Sequence, residues 1–176
     1  DPKINEFSAS NNGTENDFVE IYGDASADYS TFKVLEVEGD TTGAGSVVEV
    51  IALGTTDALG IHLPALLPDA LGNGTLTLLL VENYSGTESS DLDTNNDGVF
   101  DATPWSAIVD AVAINDGGAG DFTYGVPVLA AGYDGVAITP GGASRIPDGT
   151  DTDTAADWVR NDADLAGIPP NVGTPL

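Results

Sequence analysis

The run Thr-Leu-Thr-Leu-Leu-Leu-Val at residues 75–81 leaves this chain few ways to fold. It is nearly all apolar, is followed by Glu82-Asn83, and has the length of a strand, not of a membrane-spanning segment. A strand this apolar must be covered on both faces, which is the environment of a central strand. The run therefore predicts a sheet with this segment in its middle.

Similar short runs, separated by Gly, Asn, Asp and Pro, recur along the chain. The strong ones are residues 4–8, 17–22, 31–38, 46–53 and 107–114, and the weaker ones lie near 122–125, 135–138, 143–146 and 157–160. Only residues 63–71 and 155–161 could be helical, and Pro64 and Pro68 keep the first of these short. About ten strands in one chain predict an all-β fold, an antiparallel β-sandwich, as a single domain over residues 1–176.

An acidic loop at residues 91–101 has the spacing of a calcium-binding loop. Counted from Asp93 as the first position, oxygen donors occur at alternate positions. Gly98 at the sixth position allows the sharp turn by which such loops wrap a hard cation. Ca²⁺ suits this donor set, because Mg²⁺ demands smaller, stricter octahedral geometry. The predicted ligands are Asp91, Asp93, Asn95, Asp97, the carbonyl of Val99, and Asp101.

The loop differs from a helix-flanked calcium hand. Its twelfth position is Pro104 instead of a bidentate glutamate, and residues 86–90 ahead of it have the composition of a loop. The pattern therefore predicts a free-standing calcium loop inserted between strands, with Asp91 or Glu88 supplying a further oxygen. The alternative is a solvated acidic turn, since Asn-Asp-Gly is also ordinary turn chemistry.

The charge balance restricts the partners of this chain. It has 29 acidic and 4 basic residues, a formal net charge of -25, and basic side chains only at Lys3, Lys33, Arg145 and Arg160. Binding to nucleic-acid phosphates or to anionic membranes is therefore not expected. Cations must screen such a surface, so bound Ca²⁺, a saline medium, or both fit the composition; simple solubility is the alternative.

Cysteine is absent, which excludes disulfides, thiolate metal sites and cysteine nucleophiles. A start at Asp1-Pro2 indicates a processed N-terminus. Calcium loops of modest charge work where calcium is abundant, which is outside the cell. We therefore expect a secreted protein in an extracellular or cell-surface location.

The order of several short motifs resembles that of lamin tail domains, in particular the secreted bacterial members. Near the N-terminus, Ile4-Asn5-Glu6 and Phe18-Val19-Glu20-Ile21-Tyr22 are similar to the signatures of the first two strands of that family. The later motifs follow in matching order to the C-terminus: Leu79-Leu80-Val81, the acidic loop, Thr103-Pro104-Trp105, Val109 to Val112, Tyr124-Gly125, Arg145 to Gly149, Trp158-Val159 and Gly173 to Pro175.

This resemblance implies an immunoglobulin-like β-sandwich without catalytic activity. Such domains serve as structural, adhesive or targeting units and are often attached to secreted nucleases or phosphatases. The resulting hypothesis is a calcium-stabilised structural or assembly module of a surface, matrix or filament, which associates with itself or with other surface or matrix proteins. The alternative is an accessory or targeting domain of a larger secreted hydrolase.

An enzyme is the least favoured interpretation. His62 is the single histidine, no Gly-x-Ser-x-Gly elbow is present, and one histidine is too few for zinc hydrolysis, so a structural role for His62 is expected. The glycines at 117–120 lack the lysine of a phosphate loop. Paired-carboxylate chemistry stays open because Glu6, Glu20 and Glu82 lie in apolar strands, where the pKa of a carboxyl can rise.

Two further sets of residues suggest surface roles. Trp105 and Trp158 could present a platform for carbohydrate, although core packing is the commoner use of tryptophan. Asn12, Asn73 and Asn83 begin Asn-x-Ser/Thr sequences that are potential glycan acceptors. Glu6 and Glu20 could also contribute to a second cation site.

Overall fold

The computed structural model describes residues 1–9, 17–65 and 70–161 of the chain. These residues form ten strands and one short 3₁₀ turn, at Ala155–Asp157. The strands are β1 (Lys3–Ser8), β2 (Phe18–Tyr22), β3 (Phe32–Glu38), β4 (Val47–Ala52), β5 (Ile61–His62), β6 (Leu76–Glu82), β7 (Ala107–Asn115), β8 (Val128–Ala130), β9 (Gly142–Arg145) and β10 (Trp158–Asn161). Within the described ranges, no helix is long and apolar enough to cross a membrane.

The strands form two five-stranded sheets. The first sheet has the order β10-β9-β1-β2-β5, and the second has the order β4-β3-β6-β7-β8. All neighbours are antiparallel except β7 and β8, which are parallel. The expectation of a purely antiparallel fold is therefore wrong for this edge, because the connection after β7 reaches about the dozen residues that a parallel return requires.

The main hydrophobic core lies between the two sheets. Ile4, Phe7 and Ile21 from the first sheet pack with Val34 and Leu78 from the second, and all five are fully buried. The core joins both layers, so the described residues make a β-sandwich. The prediction of an all-β, two-layered fold is confirmed to this extent.

A second hydrophobic cluster covers the outer face of the second sheet. Leu35, Leu79 and Val81 point to this face, where Tyr84 and Leu92 from the following loop pack over them. Strand β6 is therefore buried on both faces along nearly its whole length, with β3 on one side and β7 on the other. This confirms the central position predicted from its nearly all-apolar sequence.

Several weaker predictions are wrong. Residues 122–125 and 135–138 are not strands, because the Phe122 amide binds the Gly39 carbonyl across a loop, and Gly132, Gly135 and Val136 form tight turns. Neither short edge strand, β5 or β8, was predicted, since each lacks an apolar run of strand length.

The two helical expectations also fail where they can be compared with the structure. Only one 3₁₀ turn, Ala155–Asp157, forms in residues 155–161, and the chain then continues as β10, because Trp158 enters the core and pairs with Arg145. The described part of residues 63–71 is not helical, and residues 66–69 lie outside the described residues.

All four basic side chains are engaged within the fold. Lys3 pairs with Asp151 at 2.7 Å, and Arg160 pairs with Asp134 at 2.9 Å. Lys33 lies 5.6 Å from the centroid of the Tyr84 ring, and Arg145 is buried between the sheets. The positive charges therefore do little to offset the acidic surface.

Candidate metal centre

The predicted calcium loop lies against the turn that joins β3 to β4. Asp91 forms an isolated bridge with Ser46, and the Leu92 amide donates to the Gly45 carbonyl at 2.9 Å. Gly45 has a φ of +84°, and a Cβ there would lie 2.5 Å from the Cβ of Asp93, so only glycine permits this close approach. The start of the loop is thus fixed to the second sheet.

Asp93 is the centre of the loop and is fully buried. Its Oδ1 accepts the Asp97 amide at 3.1 Å, and its Oδ2 accepts the Gly98 amide at 2.8 Å and the Tyr124 hydroxyl at 2.8 Å. Burial opposes ionisation, but hydrogen bonds from Tyr124 and from the loop amides outweigh it and lower the pKa of Asp93. The carboxylate is therefore held ionised inside the loop.

Asn95 and Asp97 turn toward the same point as Asp93. The Asp97 amide donates to both Asp93 Oδ1 and Asn95 Oδ1, each at 3.1 Å, so these two oxygens lie close together around the Asp97 nitrogen. Asn95 Nδ2 donates to Asp97 Oδ2 at 3.2 Å. Gly98 makes the sharp turn with a φ of +83°, where a Cβ would meet the Phe122 ring at 2.6 Å. The structure therefore brings the three alternate side chains together.

The remaining predicted ligands bind other parts of the loop. Asp101 Oδ2 accepts the amide and hydroxyl of Thr94 at 2.9 and 2.6 Å, and Asp91 Oδ1 accepts the Asp93 amide at 3.1 Å. The Val99 amide donates to Asp97 Oδ1 at 3.0 Å. The donor set and the glycine turn suit Ca²⁺, with Asp93, Asn95 and Asp97 as the gathered oxygen donors. The calcium assignment itself stays a prediction.

A row of aromatic rings connects the loop to the second cluster. Tyr124 stacks on Phe100 with ring centroids 4.7 Å apart, and Phe100 meets Trp105 edge to face at 5.5 Å. Burial, followed by the hydrogen bond to Asp93, raises the pKa of Tyr124, so its hydroxyl stays protonated and acts as the donor. The order of the acidic loop is therefore coupled to packing on the second sheet.

A second group of carboxylates was not foreseen from the sequence. Among the described residues, Asp40, Asp116 and Asp121 are the set of three whose ligand oxygens all lie within 4.8 Å of one another, close enough to hold a metal ion. Thr75 lies among them, with its Oγ1 3.0 Å from both Asp116 Oδ1 and Asp121 Oδ2. Asp40 follows β3, Asp116 and Asp121 follow β7, and Thr75 precedes β6. They meet only because those three strands are neighbours in the sheet.

The other candidate residues have structural partners. His62 Nε2 accepts the Gly54 amide at 3.0 Å, which supports a structural role for this histidine. Burial raises the pKa of Glu20, while Asn5 donates to it at 2.8 Å. Glu6 accepts Asn161 Nδ2 at 2.6 Å.

The tryptophans and predicted glycan acceptors differ in exposure. Trp158 is 3% exposed and packs against Phe7, which leaves no platform for sugar at that position, and Trp105 is half-buried among aromatic rings. Asn73 and Asn83 are exposed. Asn12, like the motif at Gly173 to Pro175, lies outside the described residues.

No protein-family model, curated protein or solved structure matches this chain. The lamin-tail resemblance therefore rests on the order of the sequence motifs alone.

The Tyr124→Phe variant should bind calcium about tenfold more weakly, because it removes one hydrogen bond to an ionised group and leaves the ring stack on Phe100 intact. Isothermal titration calorimetry measures the change. Tyr133→Phe is the matched control, since the buried Tyr133 hydroxyl has no hydrogen-bond partner among the residues that the structure describes. Equal calcium affinities for the two variants would contradict a role for Tyr124 in holding the loop.

Proposed function

We propose that this protein is a secreted, non-enzymatic structural or assembly module whose β-sandwich is stabilised by Ca²⁺ bound in the loop of residues 91–101. The observation that carries the proposal is that Asp93 is buried and accepts a hydrogen bond from the Tyr124 hydroxyl. Because Tyr124 packs against the second cluster, this bond connects the predicted ligands to that cluster. A cation at this point would fix the loop and, with it, the cover of the second sheet.

The charge distribution favours a cation-dependent assembly. The four basic side chains are engaged within the fold, whereas 29 acidic residues give a formal net charge of -25. Two such surfaces repel each other at short range, and bound divalent cations lower that repulsion. Association of copies, or with other surface or matrix proteins, would therefore depend on calcium.

The immunoglobulin-like type and membership of the lamin tail family are part of the same proposal. In their support, the motifs that carry the resemblance fall on structural elements: Ile4-Asn5-Glu6 on β1, residues 18–22 on β2 and residues 109–112 on β7. Arg145, which opens the Arg-Ile-Pro-Asp-Gly motif, is an inter-sheet contact. These are structural positions, which agrees with a module that has no catalytic task.

The assembly state of the purified protein tests the function. In millimolar calcium, sedimentation velocity and negative-stain electron microscopy should show large species or filaments, and chelator should return them to monomers. Asp97→Asn should stay monomeric in calcium, because it removes a charged ligand. Asp57→Asn is the matched control, since Asp57 also accepts loop amides but lies outside the proposed site. A monomer under every condition, or assemblies insensitive to chelator, would contradict the proposal.

A further inference from the structure

A pair of buried carboxyl groups lies away from the metal loop, at the start of the segment that leads into β6. Glu36 on β3 and Asp17 just before β2 are each 1% exposed. Glu36 Oε1 accepts the Gly72 amide at 2.6 Å, and Asp17 Oδ2 accepts the adjacent Leu71 amide at 2.8 Å. Two acids, one in the second sheet and one just ahead of a strand of the first, thus accept hydrogen bonds from two consecutive backbone N–H groups.

Glu36 is incompletely satisfied in this position. Its Oε2 is buried and has no hydrogen-bond partner within the described ranges of the chain. Burial of this unpartnered oxygen costs far less when the carboxyl is neutral than when it is ionised. An ionised carboxylate loses its hydration on burial, and no hydrogen bond to Oε2 compensates for that loss. Among the residues that the structure describes, the charged groups that face Glu36 are all acidic: Glu38 on its own strand, Glu49 on β4 and Asp17. They make ionisation costlier still.

We propose that Leu71 and Gly72 form a proton-dependent latch, closed over the core while Glu36 carries its proton and released when Glu36 gives that proton to water. Release would let water reach Oε2 and would expose Leu71, which is 3% exposed when the latch is closed. When Glu36 ionises, we expect the Leu71-Gly72 segment to move and β3 to stay in place, because β3 is hydrogen-bonded along both edges, to β4 and β6.

The sign of the pH effect follows from the direction of the shift. Burial, followed by the repulsion of the facing acids and opposed by the Gly72 amide, raises the pKa of Glu36 to about 7. The closed state therefore holds the proton more tightly than the open state, in which the carboxyl is hydrated. Closure is fully favoured below the ordinary glutamate pKa and is lost as the pH rises through about 7.

Amide hydrogen exchange, corrected for the intrinsic rate at each pH, tests the latch in the full chain with calcium held constant. Between about pH 5.5 and about pH 8.5, protection of the Leu71 and Gly72 amides should fall about tenfold or more, the equivalent of at least one pKa unit. The amides of Thr77 and Leu79 on β6 should keep their protection. Unchanged protection at Gly72 would overturn the proposal.

Two variants separate the latch from a general loss of stability. Glu36→Gln keeps an acceptor for the Gly72 amide and cannot ionise, so its protection at Leu71 and Gly72 should not change with pH. Glu49→Gln, which removes a facing acid that is only half-buried, should keep the pH dependence with a lower midpoint. A drop that persists in Glu36→Gln would overturn the proposal.

A direct titration keeps the idea testable if Glu36→Gln does not fold. The ¹³C shift of the Glu36 carboxyl in the wild-type protein should titrate near neutral pH, together with the amide shift of Gly72. A midpoint in the ordinary range of glutamate, or a Gly72 amide that does not follow the carboxyl, would refute the latch.

Discussion

Arg145→Met should lower the free energy of unfolding by about 3–5 kcal/mol, the cost of leaving a buried charge without its partner. Arg145 is 1% exposed, and its guanidinium donates to both oxygens of Asp110 at 2.9 and 3.1 Å and to the Ile4 carbonyl at 2.9 Å. It thereby connects β9 and β1 in the first sheet with β7 in the second. Its Cζ also lies 4.7 Å from the centroid of the Trp158 ring.

The electrostatic balance at Asp110 explains the size of the effect. Desolvation raises the pKa of Asp110 to about 6 even though Arg145 opposes this rise. Without the guanidinium, only backbone amides would hold the carboxylate, and its pKa would rise further. Asp151 would lose a partner as well: burial opposes ionisation there, yet hydrogen bonds from Arg145 and Lys3 lower the pKa of Asp151 to about 2.

Denaturant unfolding measures this change, and Tm should fall by about 10 °C for a chain of this length. Arg160→Met is the matched control, because Arg160 is buried to a similar extent but its partner Asp134 is partly exposed at the edge of the sandwich, so the carboxylate that is left keeps contact with water and the loss should be smaller. The double variant Arg145→Met with Asp110→Asn should regain part of the loss, since no charge is then left unpaired. Equal losses for Arg145→Met and Arg160→Met would contradict the account.

Removal of calcium should produce the second large effect, a fall in Tm of about 5–10 °C. A ligand that binds only the folded state adds about 2.7 kcal/mol at a hundredfold excess over Kd, and about 1 kcal/mol moves Tm by about 2–4 °C at this size. The physical cause is the position of the loop, whose residue Leu92 is buried in the cluster on the second sheet. Differential scanning calorimetry in calcium and in chelator measures the shift.

Magnesium at the same concentration is the control for charge screening, and it should give a smaller shift because its geometry is stricter. The Asp97→Asn variant should melt at the same temperature with and without calcium, while Asp57→Asn should keep the calcium-dependent shift. A shift that survives in Asp97→Asn and disappears in Asp121→Asn would move the ion to the carboxylates of Asp40, Asp116 and Asp121. Identical melting in calcium and chelator would refute calcium stabilisation.

Much of the fold follows from local patterns in the sequence. The six strongest apolar runs all became strands within a residue or so of their predicted ends, because period-two alternation and apolar runs specify burial on one face or on both. Two of the four weak predictions, at residues 143–146 and 157–160, are confirmed as β9 and β10, whereas those at 122–125 and 135–138 failed in glycine-rich turns. The parallel β8 at the edge depends on a long connection whose direction no local pattern encodes.

The candidate site divides in the same way. Residues of one contiguous loop can be selected from their spacing in the sequence, and the structure places the side chains of Asp93, Asn95 and Asp97 close together. That they bind calcium stays a prediction. Tyr124 could not be linked to Asp93 from the sequence, because 31 positions separate them. Asp40 follows β3, whereas Asp116 and Asp121 both follow β7, and only the order β3-β6-β7 places these two loops side by side.

By itself the sequence determined that this is an all-β chain with a central apolar strand, an acidic loop of calcium-like spacing and too few cations to balance its acids. These properties depend on residue type and on spacing along the chain. Only the tertiary structure decided that Arg145 joins the sheets through Asp110, that Tyr124 anchors Asp93, and that Glu36 lies buried beside Asp17. Such contacts depend on strand register and sheet order, which long-range packing sets and short-range spacing does not encode.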